Sequence, residues 1–127
     1  FDMEKALSFE GDSGPYLQYT HARLRSLLAK ASGRPVDPTQ HGGTILPLER
    51  ILLRFPEVVV RAQTEQAPHH IANYAIEVAR EFNSFYGNTI VLDGSPDEPY
   101  KLAVCTLAAS VLASALELLG IVAPERM

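Results

Sequence analysis

The feature that most constrains the fold is a long apolar segment near the C-terminus. Residues 102–119 contain one charged side chain, Glu117, and many alanines. The segment follows a turn at residues 93–96 and precedes Gly120, so the pattern predicts one helix from about Glu98 to Leu119. Because a helix that is apolar on nearly every side must be covered by other elements, we expect it at the centre of the fold.

The same segment is about long enough to span a membrane, but its composition favours a buried core helix. Polar residues interrupt it along its length, at Thr106, Ser110, Ser114 and Glu117. No apolar signal-peptide segment follows the acidic residues near the N-terminus. We therefore expect a cytoplasmic protein with no membrane partner.

Apolar residues recur at helical spacing in the rest of the chain as well. Proline and glycine positions set the predicted bounds of these helices. The pattern predicts a helix over about 15–31 that Ser32-Gly33 ends, a second from Pro47 that Pro56 breaks or kinks, its continuation over 57–66, and one from Pro68 that Gly87 ends.

Four or five helices with short connections and no paired strands indicate an all-α fold, an antiparallel helix bundle. We interpret residues 1–127 as one domain. Within it we expect residues 1–10 to end a preceding linker helix, residues 32–46 to form a mobile loop, and residues 121–127 to form a C-terminal tail. Because the chain starts at Phe1 within an amphipathic stretch, we expect it to be a fragment of a longer protein.

No arrangement of residues predicts a catalytic or metal site. Gly42-Gly43 lacks the Lys-Ser/Thr of a phosphate-binding loop. His69 and His70 are adjacent and would point in different directions on a helix, which makes them a poor metal pair. The single cysteine, Cys105, lies in an apolar run where a buried thiol is expected. A small enzyme using His70 or Cys105 is the least favoured interpretation.

The first predicted helix has two different faces. One face is an apolar stripe in which we expect a buried or boundary histidine with a hydrogen-bond partner; it contains Leu17, His21, Leu24 and Leu28. The other face carries aromatic and cationic side chains: Tyr16, Tyr19, Arg23 and Lys30. No Asp or Glu occurs between Ser13 and Val36, although the formal net charge of the chain is −4.

The aromatic and cationic face suits unpaired nucleotides. Tyr16, Tyr19 and Arg23 stand at i, i+3 and i+7, in line on the helix. A base that stacks on tyrosine gains about 1–3 kcal/mol, and an arginine can stack or neutralise a phosphate. Single-stranded RNA loops are recognised in this way. The pattern alone leaves two alternatives open, tyrosines packed against neighbouring helices and a protein–protein module with an aromatic groove.

The chain resembles the DALR-type anticodon-binding domain of arginyl-tRNA synthetases. The match begins with residues 9–23, which include the Pro-Tyr-Leu-Gln-Tyr motif, and ends with Glu125-Arg126-Met127. The first block and the terminal Glu-Arg-Met are specific to the arginine enzymes. Between them the match continues in order through residues 52–56, 68–74, 82–86 and 118–121.

The resemblance implies a domain that binds arginine tRNA at its anticodon loop, with cytosine at the middle anticodon position. In the family, the two motif tyrosines and the C-terminal methionine contact that loop. They correspond to Tyr16, Tyr19 and Met127, and Arg23 is the expected backbone or base partner. Lys101 stands where the family more often has arginine, and we give it no functional role.

The whole enzyme implied by the resemblance is a class I aminoacyl-tRNA synthetase, a ligase of protein biosynthesis that uses ATP and magnesium. Signatures of the His-Ile-Gly-His and Lys-Met-Ser-Lys-Ser types are absent from this sequence. We therefore expect no catalytic residue, no metal and no cofactor in this fragment. We expect a monomer whose partners are arginine tRNA and the missing catalytic domain of the same chain, and no DNA partner.

Overall fold

The computed structural model describes residues 13–124, and these residues form five helices without a strand. The predicted all-α bundle is confirmed. The predicted helix end at residues 1–10 and the last three residues, 125–127, lie outside the described part. The helices are α1 (Ser13–Lys30), α2 (Pro47–Leu52), α3 (Phe55–Thr64), α4 (His69–Asn88) and α5 (Glu98–Leu118).

Helix α5 is the central helix of the bundle, as its composition predicts. It packs against α1, α2 and α4, and large side chains such as Leu102 and Leu112 are fully buried. By length and composition α5 could cross a membrane, but 56% of its most apolar window is buried inside the bundle. That burial is the pattern of a core helix in a folded domain.

Helices α1 and α4 cover α5 with their apolar stripes. Leu17 and Leu24 on α1, and Val78 and Phe82 on α4, have no exposed surface. Complete burial of each such side chain stabilises the fold by roughly 1.5–3 kcal/mol. His21 is buried in the α1 stripe and has a hydrogen-bond partner, as predicted.

Proline and glycine set the helix ends in different ways. A turn at residues 53–54 separates α2 from α3. Pro56 therefore lies in the first turn of α3, where its missing N–H removes no helical bond. The predicted stop at Gly87 is wrong, because α4 continues to Asn88, whose side-chain amide donates to the Ser84 carbonyl (2.7 Å). Gly120, with φ 76°, ends α5 as predicted.

The segment 32–46 is a loop that lies against the beginning of α5. The Asp37 N–H donates to the Pro99 carbonyl (3.0 Å), and the Leu46 N–H donates to the Tyr100 hydroxyl (2.9 Å). These bonds attach the loop to α5 at two points. Its mobility stays a prediction.

Candidate nucleic-acid interface

The outer face of α1 borders an open cavity of about 530 Å³. This volume falls within the range of roughly 300–1,000 Å³ that is usual for small-ligand sites. The cavity brings together three residues singled out from the sequence, Tyr16, Tyr19 and Arg23, and adds a residue from α4, Asn83. The lining residues are Tyr16, Tyr19, Thr20, Ala22, Arg23, Ser26 and Asn83.

The two tyrosines have different environments. Tyr19 is 60% exposed, so packing against a neighbouring helix does not account for it. Tyr16 is half-buried and packs against the apolar core. The packing alternative raised by the sequence therefore describes Tyr16 in part and fails for Tyr19.

Asn83 joins α4 to the polar residues of α1. Its Oδ1 accepts a hydrogen bond from Arg23 Nη1 (2.8 Å). Its Nδ2 donates to the Tyr16 hydroxyl (3.1 Å) and to Thr20 Oγ1 (2.9 Å). The Thr20 hydroxyl in turn donates to the Tyr16 carbonyl (2.9 Å). One amide thus fixes three side chains of α1; we call Tyr16, Thr20, Arg23 and Asn83 the α1–α4 cluster.

Arg23 is held in place by neutral groups. Its guanidinium lies 4.9 Å from the centre of the Tyr86 ring, within the distance of a cation–π contact. Its bond to Asn83 uses one of its five N–H donors. Among the described residues both of these partners are neutral, so the positive charge of Arg23 is positioned but not compensated.

The basic residues between Ser13 and Val36 provide less uncompensated charge than the sequence indicates. Arg34 forms an ion pair with Glu98 (2.6 Å), whose side chain is only 8% exposed. This charge is therefore matched inside the domain. Within the cavity lining, Arg23 is the cation that the structure offers to a ligand.

The described part of the C-terminal tail, residues 121–124, lies along α1. The Gln18 side-chain amide donates to the Val122 carbonyl (3.0 Å). His21 Nδ1 lies 2.8 Å from the Pro124 carbonyl, and because a carbonyl only accepts, the imidazole is the donor. On the helical wheel Gln18 and His21 fall on the opposite side of the buried stripe from Tyr16 and Arg23. The predicted position of Met127 lies outside the described residues.

The environments of the residues considered for catalysis indicate structural roles. His70 pairs with Glu65 (3.0 Å), and its ring lies 4.2 Å from that of His69. Cys105 is fully buried, and burial raises the pKa of its thiol to about 12. A reactive thiolate is therefore disfavoured at neutral pH. Residues 13–124 contain no cluster of three His, Cys, Asp or Glu side chains that could hold a metal ion.

Sequence reasoning missed Asn83 and Tyr86. Both belong to the matched segment 82–86 and stand at i and i+3 on α4, but no pattern gave them a role. Their importance comes from the packing of α4 against α1, which brings Asn83 to a residue 60 positions earlier. A polar residue beside the apolar stripe of α4 was the one available signal.

The family model described as the DALR anticodon binding domain matches residues 17–127. The chain belongs to this family. The predicted resemblance is thereby confirmed, and the relatives agree with it. The arginine–tRNA ligase of Streptococcus thermophilus is 42% identical over 130 residues, which cover 100% of this chain and 23% of that protein. The arginine–tRNA ligase of Streptococcus equi is 39% identical with the same coverage.

Solved structures share the fold of this DALR domain. The Thermus thermophilus arginyl-tRNA synthetase aligns over 98% of this chain with a TM-score of 0.77 and 38% identity. A putative arginyl-tRNA synthetase from Campylobacter jejuni aligns over 91% with a TM-score of 0.74 and 27% identity. The alignments cover 23% and 26% of those chains, so this chain spans about a quarter of the proteins it matches.

Proposed function

We propose that this DALR domain binds the anticodon loop of arginine tRNA, as the anticodon-binding part of an arginine–tRNA ligase. The observation that carries the proposal is the cavity beside α1. There an exposed aromatic ring, Tyr19, lies next to a fixed cation, Arg23, that pairs with no carboxylate among residues 13–124. Unpaired anticodon nucleotides present flat base faces and negative phosphates, which are the groups that such a pair of side chains attracts.

Tyr19 is the proposed stacking platform. A base must leave its stack in the loop before a protein can bind its face, and that step costs free energy. Stacking on an aromatic side chain returns about 1–3 kcal/mol per base. Because Tyr19 is largely exposed in the free domain, a base that covers it also removes apolar surface from water.

Arg23 is the proposed partner of a phosphate or a base edge. Its guanidinium is already oriented by Asn83 and Tyr86, so a ligand does not have to immobilise it. An approaching phosphate also meets no competing carboxylate among the described contacts of this residue.

We propose Met127 as a further contact. The described tail reaches Pro124, which is bonded to His21 on α1. Met127 follows Pro124 by three residues, and we propose that its polarizable side chain packs on a base that is bound at Tyr19.

We propose that the longer protein attaches arginine to its tRNA with ATP and magnesium. This activity rests on the relatives, of which this chain covers 23%. No aminoacylation step is assigned to residues of this chain. As a translation enzyme the protein would act in the cytoplasm, and we propose that it acts as a monomer.

The test is a titration of an arginine anticodon stem-loop into the wild type and Tyr19→Ala. Loss of one stacking platform should weaken binding about tenfold to a hundredfold. The matched control is Leu53→Ala, which truncates a side chain that is 64% exposed, against 60% for Tyr19. Equal affinities of the wild type and Tyr19→Ala, with unchanged thermal unfolding, would refute the proposal.

Salt dependence separates RNA binding from the alternative of a protein–protein module. Each phosphate neutralised on a single strand contributes a slope of about −0.7 to log K against log salt. RNA binding by this face should therefore weaken steadily as salt rises. An apolar groove for a partner helix would bind with little change over the same range.

A further inference from the structure

The orientation of the Asn83 amide is fixed by its neighbours. A guanidinium has only donors, so the group that faces Arg23 must be the carbonyl oxygen of Asn83. The amide nitrogen then faces Tyr16 and Thr20, where its two protons go to the two hydroxyl oxygens. The acceptor and both donors of this side chain are therefore used inside the α1–α4 cluster.

This arrangement fixes the polarity of the Tyr16 hydroxyl. Its oxygen accepts from Asn83, so its own proton is left to donate. Among the described hydrogen bonds, the Thr20 hydroxyl accepts from Asn83 and donates to the Tyr16 carbonyl, and none runs from the Tyr16 hydroxyl to Thr20. Among residues 13–124 no acceptor is paired with the Tyr16 hydroxyl proton, and Tyr16 lines the cavity.

We propose that Asn83 is a positioning residue that makes the Tyr16 hydroxyl a hydrogen-bond donor toward the cavity. Arg23, which Asn83 also fixes there, only donates. The site would therefore select a base edge that presents acceptors, namely a ring nitrogen with an adjacent carbonyl oxygen, and would disfavour an amino group. This inference rests on the proposed function and adds a rule for the ligand.

The first test is a double-mutant cycle on Asn83 and Tyr16. Asn83→Asp keeps the shape of the side chain and an acceptor for Arg23, but it removes both N–H donors, so the Tyr16 hydroxyl turns inward and donates to the carboxylate. Binding of the arginine anticodon stem-loop should weaken by about fivefold to tenfold. In the Tyr16→Phe background the same substitution should cost clearly less.

The double-mutant cycle separates the effect on the Tyr16 hydroxyl from the effect of the added negative charge. The added negative charge of Asn83→Asp repels phosphates in both backgrounds, whereas the effect on the hydroxyl exists only when Tyr16 is present. Fully additive losses would therefore overturn the positioning role. Thermal unfolding of each variant shows whether the cycle compares folded proteins.

The second test does not depend on the stability of any Asn83 variant. Stem-loops carry 3-deazacytosine or 7-deazaguanine at single anticodon positions, which removes one ring acceptor from either kind of base. One such replacement should weaken binding to the wild type severalfold and have little effect on binding to Tyr16→Phe. The position that responds shows which base supplies the acceptor.

The outcomes distinguish the two claims. If the wild type does not bind the stem-loop, the proposed function fails and this inference fails with it. If the wild type binds and Tyr19→Ala weakens binding, but no ring-acceptor replacement discriminates the wild type from Tyr16→Phe, only the polarity of the site is refuted.

Discussion

Two groups of polar side chains show how this domain treats charge in opposite ways. In the α1–α4 cluster the cation is Arg23, and it contacts a neutral amide and an aromatic ring. At the beginning of α5 the cation is Lys101, whose side chain is only 5% exposed. It bonds to Asp93 (2.8 Å) and to the carbonyl of Ile90 (3.1 Å).

The difference indicates which polar residues stabilise the fold and which are available to a ligand. Lys101 is matched by a carboxylate inside the chain, so it stabilises the connection before α5. Arg23 is oriented but unmatched among the described residues, and it borders a cavity. A cation that is fixed without a counter-charge is suited to an external anion or base.

The largest effect on stability is expected for Lys101→Met. The substitution keeps the aliphatic packing but leaves the Ile90 carbonyl without its donor. Loss of a hydrogen bond from a charged donor costs about 2 kcal/mol, which corresponds to a fall in melting temperature of about 6–10 °C for a domain of this size. Denaturant unfolding measures the loss. An unchanged midpoint would show that Lys101 does not stabilise the fold.

The converse effect is expected for Arg23→Met. This side chain is exposed, so the free energy of unfolding should change by less than about 1 kcal/mol. Affinity for the anticodon stem-loop should fall about tenfold, because a charged hydrogen-bond donor is lost. Titration and unfolding of the same two variants, Lys101→Met and Arg23→Met, complete the comparison. If Arg23→Met lowered stability and left affinity unchanged, the contrast between the two clusters would be wrong.

Sequence periodicity predicted most of the fold because burial is a local pattern. The stripe with Leu17 and Leu24 and the apolar segment of α5 each gave a helix and its buried side without knowledge of its neighbours. The end of α4 was predicted one residue early, because Gly87 does not adopt a positive φ and the helix continues to Asn88. Whether a glycine adopts that conformation depends on local geometry that composition does not show.

The site was predictable only on the side that α1 supplies. Tyr16, Tyr19 and Arg23 share a helix face by spacing alone. Asn83 reaches them through tertiary packing, which a single sequence does not specify. The same limitation concealed the pairing of Arg34 with Glu98, so a run of basic residues suggested more free charge than the structure has.

The smallest of the predicted effects is the difference between variants in their response to acid, and it tests the ion pair of Lys101 and Asp93. The Lys101 ammonium and the Ser95 side-chain and backbone groups hold the pKa of Asp93 well below its ordinary value of 3.8. A carboxyl whose pKa is lower in the folded state stabilises the fold above its unfolded pKa, and this contribution is lost as pH falls through the folded value. Stability should therefore decline below about pH 4. The decline should be shallower in Lys101→Met, whereas Arg23→Met should follow the wild type, because Arg23 contacts no carboxylate among the described residues. Urea unfolding between pH 2 and pH 6 measures these slopes, and equal slopes for all three proteins would show that the Asp93 pair does not contribute.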